Sequence, residues 1–238
     1  MKITVSIIAL FLLGLICMSC QKTKDKKYHD LTIILDSTFD YELIDSTTLL
    51  GNNYKSSMEW SYDTIKHNCY YHWDSLTSNN YIFKVQTIFS KVKDFNLSFP
   101  NDTNFLLDNE LGFVTTMLID KNELYQSDTI ELVFTSSGCF HQYYEKLIIT
   151  KNNNEYTLKT ESEQIKKVPS AIIDSLFQMQ FDSKKELDKI EKNGFQSFST
   201  TTNGFYLLAN NKLFKFNDRG IEDWDLYENF KAKFITNN

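Results

Sequence analysis

Past its first twenty positions the chain deals out its apolar residues in short runs, and this spacing limits what it can fold into. Leu31–Leu35, Tyr81–Phe89, Phe113–Ile119 and Ile130–Thr135 are rich in β-branched and aromatic residues and bounded by Asn, Asp or Gly, the composition of strands. Tyr143–Thr150 and Glu155–Thr160 flank Asn152-Asn153-Asn154, and Phe205–Ala209 and Lys212–Phe216 flank Asn210-Asn211. Both arrangements predict hairpins, and connections this short predict antiparallel pairing. With 7 Gly and 2 Pro in 238 residues, the turns fall to Asn and Asp, which tolerate the left-handed backbone region better than other non-glycine residues. A hydrophobic fraction of 42%, including 19 Phe and 13 Tyr, is ample for a packed core.

Helical spacing is concentrated later in the chain. Pro169-Ser170 opens a segment whose Ile172, Ile173, Leu176, Phe177 and Met179 share a broad face. Ser183 and Glu186 have capping-box spacing, which predicts a second helix carrying Leu187 and Ile190 and stopping at Gly194. Trp224, Leu226, Tyr227, Phe230 and Phe234 predict a last helix, with Glu222, Asp223 and Asp225 at its start, where acids favour the helix dipole. The fold class expected is α+β: an antiparallel β-sheet-rich N-terminal half with two to three helices in the C-terminal half. Without a linker or repeat of solenoid length, residues 31–238 read as a single globular α+β domain with a possible sub-boundary near 160–168.

The N-terminus has a different character. Lys2 precedes an apolar run from Ile3 to Ile16, closing on Cys17-Met18-Ser19-Cys20 and followed by the polar run Gln21–Lys27. A membrane-spanning helix wants about 20 apolar residues, and this run is shorter and interrupted by Thr4, Ser6 and Gly14. Positive start, apolar core and small residue at the cut have the layout of a secretory signal peptide. A cysteine directly after the cut resembles the lipobox of bacterial lipoproteins, although Cys17 stands at −3 in place of the usual Leu. The resemblance implies a signal peptide over 1–19, a flexible tether over 20–30, and diacylglycerol and palmitate-type acylation at Cys20. It further implies a Gram-negative cell-envelope location, the membrane being engaged through the N-terminal lipid anchor. Gln21 rather than Asp at the second mature position implies the outer membrane, facing the periplasm. A plain cleaved signal without acylation is the competing reading of the same residues.

Charge narrows the functions. The chain has 25 basic and 31 acidic residues, and loss of Lys2 with the signal leaves a net charge of −7. Arg219 is its one arginine, and arginine is the residue that reads guanine edges and clamps phosphates, so no nucleic-acid partner is expected. Gly-x-Ser-x-Gly, Walker, dinucleotide, His-Glu-x-x-His and calcium-loop motifs are absent from the sequence. No catalytic residue and no cofactor is assigned on this basis.

The thiols of the mature chain keep unusual company: three of the four histidines lie within three residues of them, in His67-Asn-Cys69-Tyr-Tyr-His72 and Cys139-Phe-His141. On strands, residues two apart share a face, so His67, Cys69, Cys139 and His141 can present a tetrahedral Cys2His2 zinc site, although their spacing is not that of known zinc motifs. The competing readings are a disulfide between Cys69 and Cys139 or, failing that, two buried free thiols. In an oxidising compartment two thiols usually pair, and closing a loop of 70 residues contributes about 4 kcal/mol in the chain-entropy model. A nucleophilic Cys139 after Ser136-Ser137-Gly138 is weaker, because no protease signature surrounds it.

Asp36-Ser37-Thr38, Asp45-Ser46-Thr47, Asp63-Thr64-Ile65, Asp74-Ser75-Leu76, Asp128-Thr129-Ile130 and Asp174-Ser175-Leu176 resemble the Asp-Ser/Thr-apolar sequon of periplasmic O-glycosylation in one large group of Gram-negative bacteria. The resemblance implies acceptors at Ser37, Ser46, Thr64, Ser75 and Thr129, with Ser175 disfavoured inside a predicted helix. Asp followed by Ser or Thr is also an ordinary turn pair. Two functions follow: a non-catalytic lipid-anchored envelope protein binding an unknown protein or glycan partner, or a metal- or thiol-dependent envelope enzyme using His67, Cys69, Cys139 and His141.

Overall fold

The structure is a computed structural model that describes residues 28–35, 41–51, 54–57, 61–64, 68–99, 103–107, 111–138, 141–162, 164–193, 201–217 and 225–236. It is sheet-rich with few helices. Contacts divide the chain into two compact units, one formed by Met1–Val85 with Val92–Asp108 and the other by Gln86–Lys91 with Asn109–Asn238. The expected sub-boundary at 160–168 falls inside the second unit. Residues there form a hairpin in which Thr160 N–H donates to the Gln164 carbonyl at 3.2 Å. Among the described residues no helix is long and apolar enough to cross a membrane.

The first unit contains β1 (His29–Leu35), a 3-10 turn (Tyr41–Leu43), β2 (Ile44–Gly51), β3 (Tyr54–Ser57), β4 (Ser61–Asp63), β5 (Asn68–Leu76), β6 (Asn80–Thr87), β7 (Val92–Ser98) and β8 (Thr103–Leu107). They form two four-stranded sheets, β4-β5-β1-β8 and β3-β2-β6-β7. Strand alternation decides what is buried: Leu31, Ile33 and Leu35 of β1 and Tyr81, Phe83 and Val85 of β6 point inward. Leu31 lies opposite Trp73 and Ile33 opposite Tyr71 in the antiparallel β1–β5 pair. Phe83 meets the rings of Tyr71 at 5.4 Å and Trp73 at 5.8 Å, so the buried faces of the two sheets share one aromatic core. Such pairs add about 0.5–1.5 kcal/mol each beyond burial.

A pairing in this unit departs from the antiparallel expectation. β8 runs parallel to β1, with Ile33 beside Phe105. Parallel neighbours need a long connection, and β2 to β7 supply it.

The second unit contains β9 (Val114–Thr116), α1 (Lys121–Gln126), β10 (Thr129–Gly138), β11 (His141–Asn152), β12 (Glu155–Thr160), β13 (Ile165–Val168), α2 (Ala171–Asn193), β14 (Thr202–Ala209), β15 (Lys212–Asn217) and α3 (Leu226–Lys231), which runs on into a π-helical turn (Ala232–Thr236). A seven-stranded sheet has the order β13-β12-β11-β10-β14-β15-β9. Both expected hairpins form. Asn153 and Asn154 have φ of 48° and 67°, and Asn210 and Asn211 have 49° and 65°. Two consecutive left-handed residues make a type I′ turn, whose twist matches that of the flanking strands.

One sheet face packs against the helices, where Leu132, Leu147, Leu158, Phe205 and Leu207 meet Ile172, Leu176, Tyr227 and Phe230. Helix placement differs from expectation in two places. α1 was not expected; Asp120 caps it by accepting from Asn122 N–H at 2.8 Å. The two helices expected to meet at Ser183 are the single helix α2. Ser183 is fully buried, next on the inward stripe of Ile172, Ile173, Leu176, Met179 and Gln180, and continuing that buried stripe outweighs its capping preference. The side chains of Leu187 and Ile190 lie outside the described residues, as do Gly194, Glu222, Asp223 and Trp224 altogether. Asp225 precedes α3 without a side-chain capping bond.

Candidate binding groove

A groove of about 440 Å³ lies on the first unit, lined by Leu50, Gly51, Asn80, Tyr81, Ile82, Asn96, Leu97 and Ser98. These residues come from the adjacent strands β2, β6 and β7. Alternation explains the lining: Tyr81 and Leu97 turn into the core, which leaves Asn80, Ile82, Asn96 and Ser98 on the outer face.

Gly51 allows the floor to close. A Cβ there would lie 2.3 Å from the Tyr81 ring, so only glycine lets the ring lie flat against the backbone. The ring also meets Tyr54 edge-on at 5.7 Å and stacks on Phe99 at 5.9 Å. Its hydroxyl accepts from Ser78 N–H at 3.2 Å. Tyr81 is thus fixed and presents no free face.

None of the eight lining residues is charged, in a chain that is 24% charged. The next outward positions along β6 and β7 are Lys84 and Asp94, which pair with each other at 2.7 Å. At this exposure the pair adds little stability, but it leaves that end of the groove without net charge. The Ser78 hydroxyl bonds the Asn80 backbone at 3.2 Å, and among the described residues no hydrogen bond engages the side chains of Asn80, Asn96 or Ser98. Lys55, opposite Leu50 in the β2–β3 pair, is a cation beside the rim.

The residues singled out by the sequence are placed as follows. Cys20, His67 and Cys139 lie outside the described residues, as does the side chain of His141, whose backbone begins β11 opposite Gly138. The expected Cys69–Cys139 bridge and the Cys2His2 cluster therefore also lie outside them. Cys69 is a free thiol, 4% exposed, opposite Tyr62. Burial pushes its pKa up, which disfavours the reactive thiolate. His72 sits on the opposite face of β5, exposed, with Nδ1 2.9 Å from Thr32 Oγ1. Among the described residues no three His, Cys, Asp or Glu side chains are grouped to hold a metal ion.

Ser37 lies outside the described residues, whereas Ser46, Thr64, Ser75 and Thr129 are exposed. Ser75 has φ of 56° and its N–H donates to Asp30 Oδ1 at 3.2 Å. Ser175 is half-buried within α2 and accepts from Lys233 Nζ at 3.0 Å.

One constellation was not legible in the sequence because it joins residues 86 apart. On the second unit, Lys231 Nζ of α3 donates to Glu145 Oε2 at 2.9 Å and to the Tyr143 hydroxyl at 3.0 Å, and Tyr143 donates to the same carboxylate. Tyr227 stacks on Phe134 at 4.1 Å; its buried hydroxyl lies near Glu145 without meeting hydrogen-bond geometry. Burial alone would raise Glu145, but the Tyr143 and Lys231 hydrogen bonds, the Tyr227 hydroxyl and the lysine charge outweigh it and hold the carboxyl below its ordinary range. The Tyr143 hydrogen bond and the Glu145 partner hold Lys231 above its usual range against the effect of burial. Burial, followed by the neighbouring carboxylate, pushes the phenols of Tyr143 and Tyr227 up. Every shift moves its group away from neutrality, the reverse of what a proton-transfer site requires, so the cluster pins α3 to β11.

No protein-family model and no curated protein matches the chain. Among solved structures it is similar to a leucine-rich repeat protein from Bacteroides thetaiotaomicron, at 6% identity and a TM-score of 0.21, over 59% of this chain and 23% of that one.

Proposed function

We propose that this is a lipid-anchored cell-envelope protein that works by binding rather than by catalysis, with the groove of the first unit as its binding surface. The groove carries the reading: three polar side chains unengaged among the described residues, Asn80, Asn96 and Ser98, border the apolar Leu50 and Ile82 around a rigid floor. Few placed polar groups within an apolar concavity are the usual composition of a recognition site. The sequence supports the location through the signal-like run ending at Ser19-Cys20, with the mature chain held at the outer membrane, facing the periplasm, and its partner an envelope protein or glycan. The buried thiol of Cys69 weakens the thiol-enzyme alternative.

Mass spectrometry of the protein isolated from its native membrane tests the location. The expected N-terminus is a multiply acylated Cys20, and Cys20→Ala is expected to leave the membrane fraction; an intact Met1 terminus or an unacylated Cys20 overturns the anchor. Pull-down from the native envelope tests binding, which is expected to be lost on Asn80→Ala/Asn96→Ala.

A further inference from the structure

We infer that the groove of the first unit takes an uncharged saccharide, its hydroxyl groups read by the amides of Asn80 and Asn96 and the hydroxyl of Ser98. This deepens the binding reading above and rests on it.

Three observations favour this occupant. First, the lining carries no charge, and the nearest pair along its strands, Lys84 and Asp94, is closed on itself at 2.7 Å. An anionic headgroup or acidic polymer would lack, among the described lining residues, the clustered cations that bind it; Lys55 lies opposite Leu50 in the β2–β3 pair. Second, each side-chain amide offers a carbonyl acceptor and two N–H donors, which match adjacent hydroxyls that both donate and accept. Neither amide is spent within the described residues. Leu50 and Ile82, the latter 36% exposed, give an aliphatic surface for the C–H face of a sugar ring.

Third, the main competitor, an added peptide strand, is opposed by the edge itself. β7 is the terminal strand of its sheet, but Lys93 lies on its inward face with Nζ 5.8 Å over the Phe95 ring. An inward-pointing charge on an edge strand is a device that blocks strand addition.

The test uses the whole mature chain with Cys20→Ala, so that lipid is absent from the assay. Isothermal titration is run against neutral oligosaccharides (maltohexaose, cellohexaose, xylohexaose, mannohexaose), against heparin fragments and polygalacturonate as charged controls, and against extended peptides. Saturable binding of a neutral member is expected, weakened about tenfold or more by Asn80→Ala/Asn96→Ala, since two lost hydrogen bonds of about 1 kcal/mol each amount to that factor or more. Both positions are exposed, so an unchanged near-ultraviolet circular dichroism spectrum is expected alongside. Lys55→Ala is expected to leave affinity unchanged. Binding confined to the charged polymers or to peptides, a dependence on Lys55, indifference to the double substitution, or no saturable neutral ligand overturns the inference. A groove-dependent peptide or charged ligand leaves the binding reading standing while overturning the saccharide; loss of acylation at Cys20 strikes the envelope location alone.

Discussion

Gly51 and Gly204 show how much one missing Cβ can decide. A Cβ on Gly51 would lie 2.3 Å from the Tyr81 ring, and on Gly204 it would lie 2.5 Å from Thr135 Oγ1. Tyr81 is 3% exposed and stacked on Phe99, so it has nowhere to go. Gly51→Ala is expected to cost about 1–3 kcal/mol, the usual range for overpacking, read as a lower urea midpoint. At Glu145 the residue scale sets a pH dependence. Its pKa is depressed on folding, so its contribution is present above the unfolded carboxylate value of about 4.3 and lost as pH falls through the lower folded value. Lys231, Tyr143 and Tyr227 are raised, so their contributions are present below unfolded values of about 10 and lost as pH rises beyond them. A stability plateau between roughly pH 5 and 10 follows. Glu145→Gln is expected to flatten the acid limb in urea titrations between pH 2 and 7; an unchanged slope there would refute the assignment.

At the scale of elements, α2 places two buried polar side chains side by side with opposite consequences. Gln180 is fully buried and replaces a missing strand partner: its Oε1 accepts from Ile119 N–H at 2.8 Å and its Nε2 donates to the Ile119 carbonyl at 3.5 Å. Ser183, one turn on, is equally buried, and its Oγ has no partner among the described residues. Removing Gln180 orphans a buried backbone N–H, whereas removing the Ser183 hydroxyl abolishes an orphan. Gln180→Ala is therefore expected to destabilise by about 1–3 kcal/mol and Ser183→Ala to stabilise by up to about 1 kcal/mol, measured as shifts of opposite sign in thermal midpoint. The same contrast marks what the sequence could reveal. The Asn-Asn hairpins and the apolar stripe of α2 are local signals and were legible. Ser183 carried a local capping signal too, yet burial against a sheet assembled from distant strands overrode it.

For the whole molecule, the division into two compact units, each with its own core, predicts that damage stays local. Hydrogen exchange read by mass spectrometry is expected to accelerate mainly within 28–85 and 92–107 for Gly51→Ala, and mainly within 111–217 for Gln180→Ala. Uniform acceleration in both variants would refute separate cooperative units.

What the sequence determined by itself is what depends on neighbours along the chain. Alternating runs specify strands, Asn pairs adopt the left-handed turns, and a 3.6-residue stripe specifies a helix; each is settled within a few residues of backbone. What the tertiary structure alone decided is what depends on residues brought together across long loops. The parallel β1–β8 pairing, the fusion of two expected helices, the Lys231–Glu145–Tyr143 cluster and the uncharged groove all join segments far apart in sequence. Their partners are chosen by the burial of apolar faces and the satisfaction of polar groups, quantities defined only once the chain has packed.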